Sequence, residues 1–156
     1  MTDVSDRSAQ ILLDKLETMY ESLAGYFKQQ PRTMIECYVV DDVGKWETRD
    51  WDARVIKKVR AREGITMYAR QGRNQKAVVF SANNHDVVQH EAVHGFCFLT
   101  FSGTGPLWYA EGMAELGKYW QSDSVAVNAD PAIIGYLTSR APKPLTEIIK
   151  AETIEG

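Results

Sequence analysis

Apolar residues recur at helical spacing near the start of the chain: Leu12, Leu16, Met19, Tyr20, Leu23 and Phe27. That period predicts an amphipathic helix over about 6–29, stopped by Gln30-Pro31 because the residue before a proline is pushed out of helical geometry. Thr33 to Val40 is rich in β-branched and aromatic residues and predicts a strand, with Asp41-Asp42 able to cap the next element. Trp51, Val55 and Val59 share one stripe of a second helix over 43–62, and Gly64 suits its C-terminal stop. Ile65 to Ala69 and Lys76 to Ala82 predict two strands, joined by a hairpin loop from Arg70 to Gln75 that contains Gly72 and Asn74.

A further helix comes next, with Asn83 or Asn84 as N-cap and Asp86 at its positive end. Val87, Val88, Ala92, Val93, Phe96 and Phe98 give it apolar surface. Pro106, after Gly103-Thr104-Gly105, suits the first turn of another helix. Gln121 to Asn128 reads as a polar loop, Asp130-Pro131 opens a short helix through Leu137, and Ala141-Pro142-Lys143-Pro144 leads to a last helix at about 145–152.

The helix after Asn84 carries His90-Glu91-Ala92-Val93-His94. Two histidines four apart lie one above the other on a helix face, so both imidazoles can reach one cation at about 2.0–2.1 Å. Glu91 between them is placed to take a proton from a water that the metal activates. The plainer alternative is an amphipathic helix with two surface histidines. A catalytic zinc site needs a third protein ligand and an open position. Pro106-Leu107-Trp108-Tyr109-Ala110-Glu111-Gly112-Met113-Ala114-Glu115 supplies two carboxylates one turn apart, among the apolar Trp108, Met113, Ala114 and Leu116. Glu111 is a candidate for the ligand, and Glu115 for the carboxylate that accepts the spare N–H of a ligand histidine.

H-E-x-x-H followed by W-x-x-E-G-x-A-E, with sixteen residues between His94 and Glu111, resembles the gluzincin zinc metallopeptidases, and within them the bacterial peptidase MA-like domains, many of unknown substrate. The specific match spans about 82–120. The resemblance implies one zinc per chain on His90, His94 and Glu111, Glu91 as general base, and Glu115 supporting His90. It also implies Ile65 to Ala69 as the edge strand to which a substrate peptide would add; an ordinary sheet edge is the alternative. Larger gluzincins carry a helical half that often supplies a tyrosine or histidine to the oxyanion. Only about 40 residues follow the Glu111 helix here, so that half is expected to be missing, and Tyr136 is one candidate for the role.

The expected architecture is α+β, a single zincin-like domain over 1–156. A small mixed or antiparallel sheet packs on the N-terminal helix, and the two zinc-binding helices cross its other side. The expected activity is hydrolysis of peptide bonds, with a peptide or protein as partner. Two rivals are a zincin-like peptide- or protein-binding module that no longer turns over, and a metal-free structural domain. The intact Glu91 speaks against the first, and the full ligand set against the second.

The chain has 156 residues, 44% of them hydrophobic, and a net charge of −3, which fits one domain with a real core and argues against nucleic acid as partner. Arg54, Lys57, Lys58, Arg60 and Arg62 form a basic run without an aromatic platform, read as a solvated helix face. No apolar run is long enough to cross a membrane, and Met1 to Gln10 is too polar for a signal peptide. The compartment stays open, cytoplasmic or a piece of an exported protein. His85 is expected to be an exposed first-turn residue. Cys97 stands as a small core residue or an alternative ligand, and Cys37 and Cys97 as a possible pair that would fix no compartment.

Overall fold

The structure is a computed structural model that describes residues 3–47, 51–71, 74–123, 131–141 and 143–150. Helix α1, Asp6–Phe27, is capped by Ser5, whose side chain accepts from the Ser8 N–H, and ends at Lys28 in the left-handed region with φ 52°. Strand β1, Ile35–Val40, comes next. Asp42 Oδ1 then accepts from the Gly44 N–H at 3.0 Å and starts the short α2, Gly44–Glu47.

The single helix expected over 43–62 is broken. Asp52 takes an extended ψ of 129°, and its side chain caps a new helix, α3, Ala53–Arg60, by accepting from Arg54 N–H. The capping carboxylate restarts the helix where the apolar stripe alone runs on unbroken. Gly64 is not the stop residue either. Arg62 holds the left-handed φ of 60° after α3, and Gly64 does not have a positive φ.

Strands β2, Ile65–Gln71, and β3, Asn74–Ala82, run further toward their hairpin than the expected Arg70 to Gln75 loop, pairing out to Gln71 opposite Asn74. Cross-strand hydrogen bonds tolerate those polar residues, so the strands outlast their apolar pattern. The sheet order is β1-β3-β2, with β1 parallel and β2 antiparallel to β3. The fold is therefore α+β with a small mixed sheet, and β2 is an edge strand among the described residues.

Successive strand residues face opposite ways, and both faces of this sheet are covered. Val39 and Val79 meet Leu12 of α1 and Val88 of the next helix, while Val40 and Phe80 meet Val55 and Val59 of α3. That next helix, α4, His85–Phe101, starts at Asn84, whose Oδ1 accepts from the N–H groups of Asp86 and Val87. The N-terminal helix and α4 thus share one face of the sheet rather than lying on opposite faces. The physical reason lies in α4. Ala92, Val93, Phe96 and Cys97 present apolar surface to α1 as well, and the amphipathic α3 takes the remaining face. Helix α5, Leu107–Lys118, turns back along α4 after Ser102 at φ 61° and Gly105 at φ 81°. Ala114 is buried and Met113 packs on the α1–α4 cluster, whereas Trp108 and Leu116 are exposed rather than packed around the carboxylate pair.

Helices α6, Pro131–Thr138, and α7, Leu145–Lys150, complete the described chain. Asp130, Pro142, residues 124–128 of the polar loop and the end of the last expected helix lie outside the described residues. No helix among the described residues is long and apolar enough to cross a membrane.

Candidate metal centre

The α4–α5 hairpin brings the predicted site together. Gly117 makes the close approach possible, because a Cβ there would run into Val93 Cγ2 of α4. Gln89, fully buried beside His90, fixes the same contact by donating from Nε2 to the carbonyl oxygens of Gly117 at 3.1 Å and Trp120 at 3.3 Å. Sequence reasoning misses Gln89, although a buried amide next to a ligand is a recognisable way to hold two helices in register. In the chain it stands between Val88 and His90, which give it no distinction.

With the helices so docked, His90 Nε2 lies 3.2 Å from His94 Nε2 and 3.4 Å from Glu111 Oε2, and His94 Nε2 lies 3.5 Å from Glu111 Oε1. Atoms about 2.0–2.1 Å from a common centre in a tetrahedron stand about 3.3–3.4 Å apart, the edge length of a four-coordinate zinc shell. The three separations match that edge. His90, His94 and Glu111 can hold a metal ion, one ligand atom from each.

With both imidazoles neutral, the donor set would suit a cation. Glu115 Oε1 lies 3.1 Å from His90 Nδ1, and a carboxylate only accepts. In a neutral ring, an Nδ1 that donates to Glu115 leaves Nε2 with a lone pair. That lone pair faces the Glu111 carboxylate and the second imidazole. Burial holds the His94 imidazole below its usual value; His90 pushes the same way, and Glu91 and Glu111 oppose. A neutral His94 also offers a lone pair. Side-chain exposures of 17%, 12% and 33% for His90, His94 and Glu111 leave the group half-sheltered but open on one side.

Glu115 is positioned from both ends, since Lys118 Nζ reaches its other oxygen at 3.3 Å. Removing a carboxylate of this kind weakens metal affinity about 10–100-fold. Glu115→Ala is expected to bind zinc within that range of loss, measured by competition with a chromophoric chelator; parent-like affinity would make Glu115 surface charge.

Glu91 lies beside the triad without entering it. Thr66 of β2 places its Oγ1 2.7 Å from Glu91 Oε2. Gly64 lies against the same side chain, and a Cβ on it would overlap Glu91 Cγ. The site opens into a cleft of about 640 Å³ between the α4–α5 hairpin and the α3–β2 turn. Tyr68 lines this cleft, its ring stacked on Phe98 at 4.2 Å. Burial raises the Tyr68 phenol, and the charges of Glu91 and Glu111 add to the effect, so it stays a donor.

Several expected residues are not brought here. Tyr136 is half exposed on α6, its hydroxyl accepts from Arg140 Nη1 at 2.8 Å, and it does not line the cleft. Helix α6 has no buried residue, so none of the described residues packs Tyr136 toward the metal group. His85 is half-buried rather than exposed, and lies outside the ligand group. Cys37 and Cys97 are both free thiols. Cys97 is buried in the α1–α4 core, outside the group that could hold a metal ion, and burial pushes its thiol up to about 11. No family model, curated protein or solved structure matches this chain.

Proposed function

We propose that this chain is a zinc-dependent peptidase with a zincin-like core of the gluzincin type. The observation that carries the reading is the triad of His90 Nε2, His94 Nε2 and a Glu111 oxygen at tetrahedral spacing, with the Glu91 carboxylate beside it in an open cleft. A ligand set of two imidazoles and one carboxylate suits zinc. Zinc, when bound, supplies a Lewis acid that acidifies water and polarises a carbonyl.

The chain's own groups do the rest. Glu91 takes the proton of the attacking water and passes it to the leaving amine. Glu115 keeps His90 in the tautomer whose Nε2 is free. The edge strand β2 borders the cleft, where an extended peptide can add by main-chain hydrogen bonds. The amphipathic α3 buries Val55 and Val59 and leaves its basic residues exposed, with Arg54 paired to Asp52 and Lys58 to Glu63.

Metal analysis of purified protein tests the reading. One zinc per chain is expected, removed by a chelator and restored by zinc alone. Failure to take up stoichiometric zinc would return the site to a metal-free structural cluster.

A further inference from the structure

Glu91 is held from outside its own helix, by the start of β2. Gly64 covers it with bare backbone; a Cβ there would stand 3.1 Å from Glu91 Cδ and 2.8 Å from Val87 Cγ1. Thr66 Oγ1 lies 2.7 Å from Glu91 Oε2 and 2.8 Å from the Glu91 main-chain oxygen. A hydroxyl carries one proton, so these two oxygens compete for it. The main-chain oxygen sits in the middle of α4 and has a helical N–H partner by geometry. The carboxylate has no such partner, and among the described residues Thr66 is its one hydrogen-bond donor.

We propose that Thr66 is a positioning residue for Glu91: its hydroxyl ties Oε2 to β2 and leaves Oε1 as the oxygen that exchanges the proton. This rests on the reading of Glu91 as the general base. A glutamate has three rotatable side-chain bonds, and an untethered one spreads over many rotamers. Gly64 leaves room for the one arrangement in which the carboxylate reaches Thr66, and the hydrogen bond selects it. Thr66 faces α4 because its neighbours Ile65 and Met67 point into the cluster around Val55 and Phe80 on the opposite face.

Thr66→Val keeps the β-branched shape and removes the hydroxyl; Thr66→Ser keeps the hydroxyl. With zinc-loaded proteins and a mixed peptide library as probe, Thr66→Val is expected to lower kcat about 10–100-fold, the scale of a misplaced catalytic group. KM and zinc content should hold, and Thr66→Ser should recover most of the loss. Unchanged kcat in Thr66→Val, an equal loss in both variants, or a change confined to KM would overturn the assignment. A crystal structure of Thr66→Val gives a readout free of turnover. Displacement of the Glu91 carboxylate from β2 is expected, and an unmoved carboxylate would overturn the tether. If the zinc-loaded parent cleaves nothing, the peptidase reading fails, while the crystal structure still decides whether Thr66 holds Glu91.

Discussion

Glu91→Gln will keep zinc and lose hydrolysis. The amide has the shape of the carboxylate but takes up no proton near neutral pH, and loss of a general base costs roughly 10²–10⁴-fold in rate. Glu91 lies outside the group that can hold the metal, so zinc content should match the parent. The Thr66 hydroxyl can donate to the amide oxygen as it does to Oε2, so the side chain should stay in place. Zinc content by mass spectrometry and kcat on the best-cleaved library peptide separate the possibilities. Equal turnover by mutant and parent would remove Glu91 as the base; joint loss of zinc and turnover would make it a ligand.

Glu111→Ala should lose zinc almost completely. Its carboxylate is the third corner of the triangle formed with the two imidazoles, 3.4 Å from one and 3.5 Å from the other. Without it two neutral nitrogens remain, too few for the three-ligand zinc shell. The loss should exceed the roughly 10–100-fold expected for an outer carboxylate such as Glu115. His90→Ala and His94→Ala should behave alike. Glu111 is one-third exposed, so its truncation leaves little cavity, and thermal unfolding of the zinc-free variant should match that of zinc-free parent. Near-stoichiometric zinc in Glu111→Ala would end its assignment as ligand.

Much of the site was legible because its signals are local. Asn84 caps α4, the i and i+4 spacing aligns His90 with His94, and the Glu111-to-Glu115 turn brings one carboxylate to the triad and the other to His90 Nδ1. The features that escape the sequence depend on contacts between residues far apart in the chain. Thr66 is 25 residues from Glu91, and nothing in a strand pattern tells which polar side chain meets a helix. Gly64 sits where a helix stop is expected; its actual constraint, the approach of Glu91, exists only after folding. The consecutive apolar residues Val39-Val40 in β1 and Val78-Val79-Phe80 in β3 ask for cover on both faces without saying which helix takes which. Asp52 breaks the helix expected over 43–62 because a capping side chain overrides a periodic stripe. Tyr136 rested on no pattern, and among the described residues it stands exposed on α6, outside the lining of the cleft.

The most direct test of the peptidase account is cleavage of a mixed peptide library, read by mass spectrometry, for protein as purified, after chelation and after zinc is restored. The account predicts new termini with the first and third samples, none with the second, and none with zinc-loaded Glu91→Gln. A parent that carries one zinc per chain and cleaves no peptide would contradict it, and would favour a zinc-holding module that binds peptides without hydrolysing them.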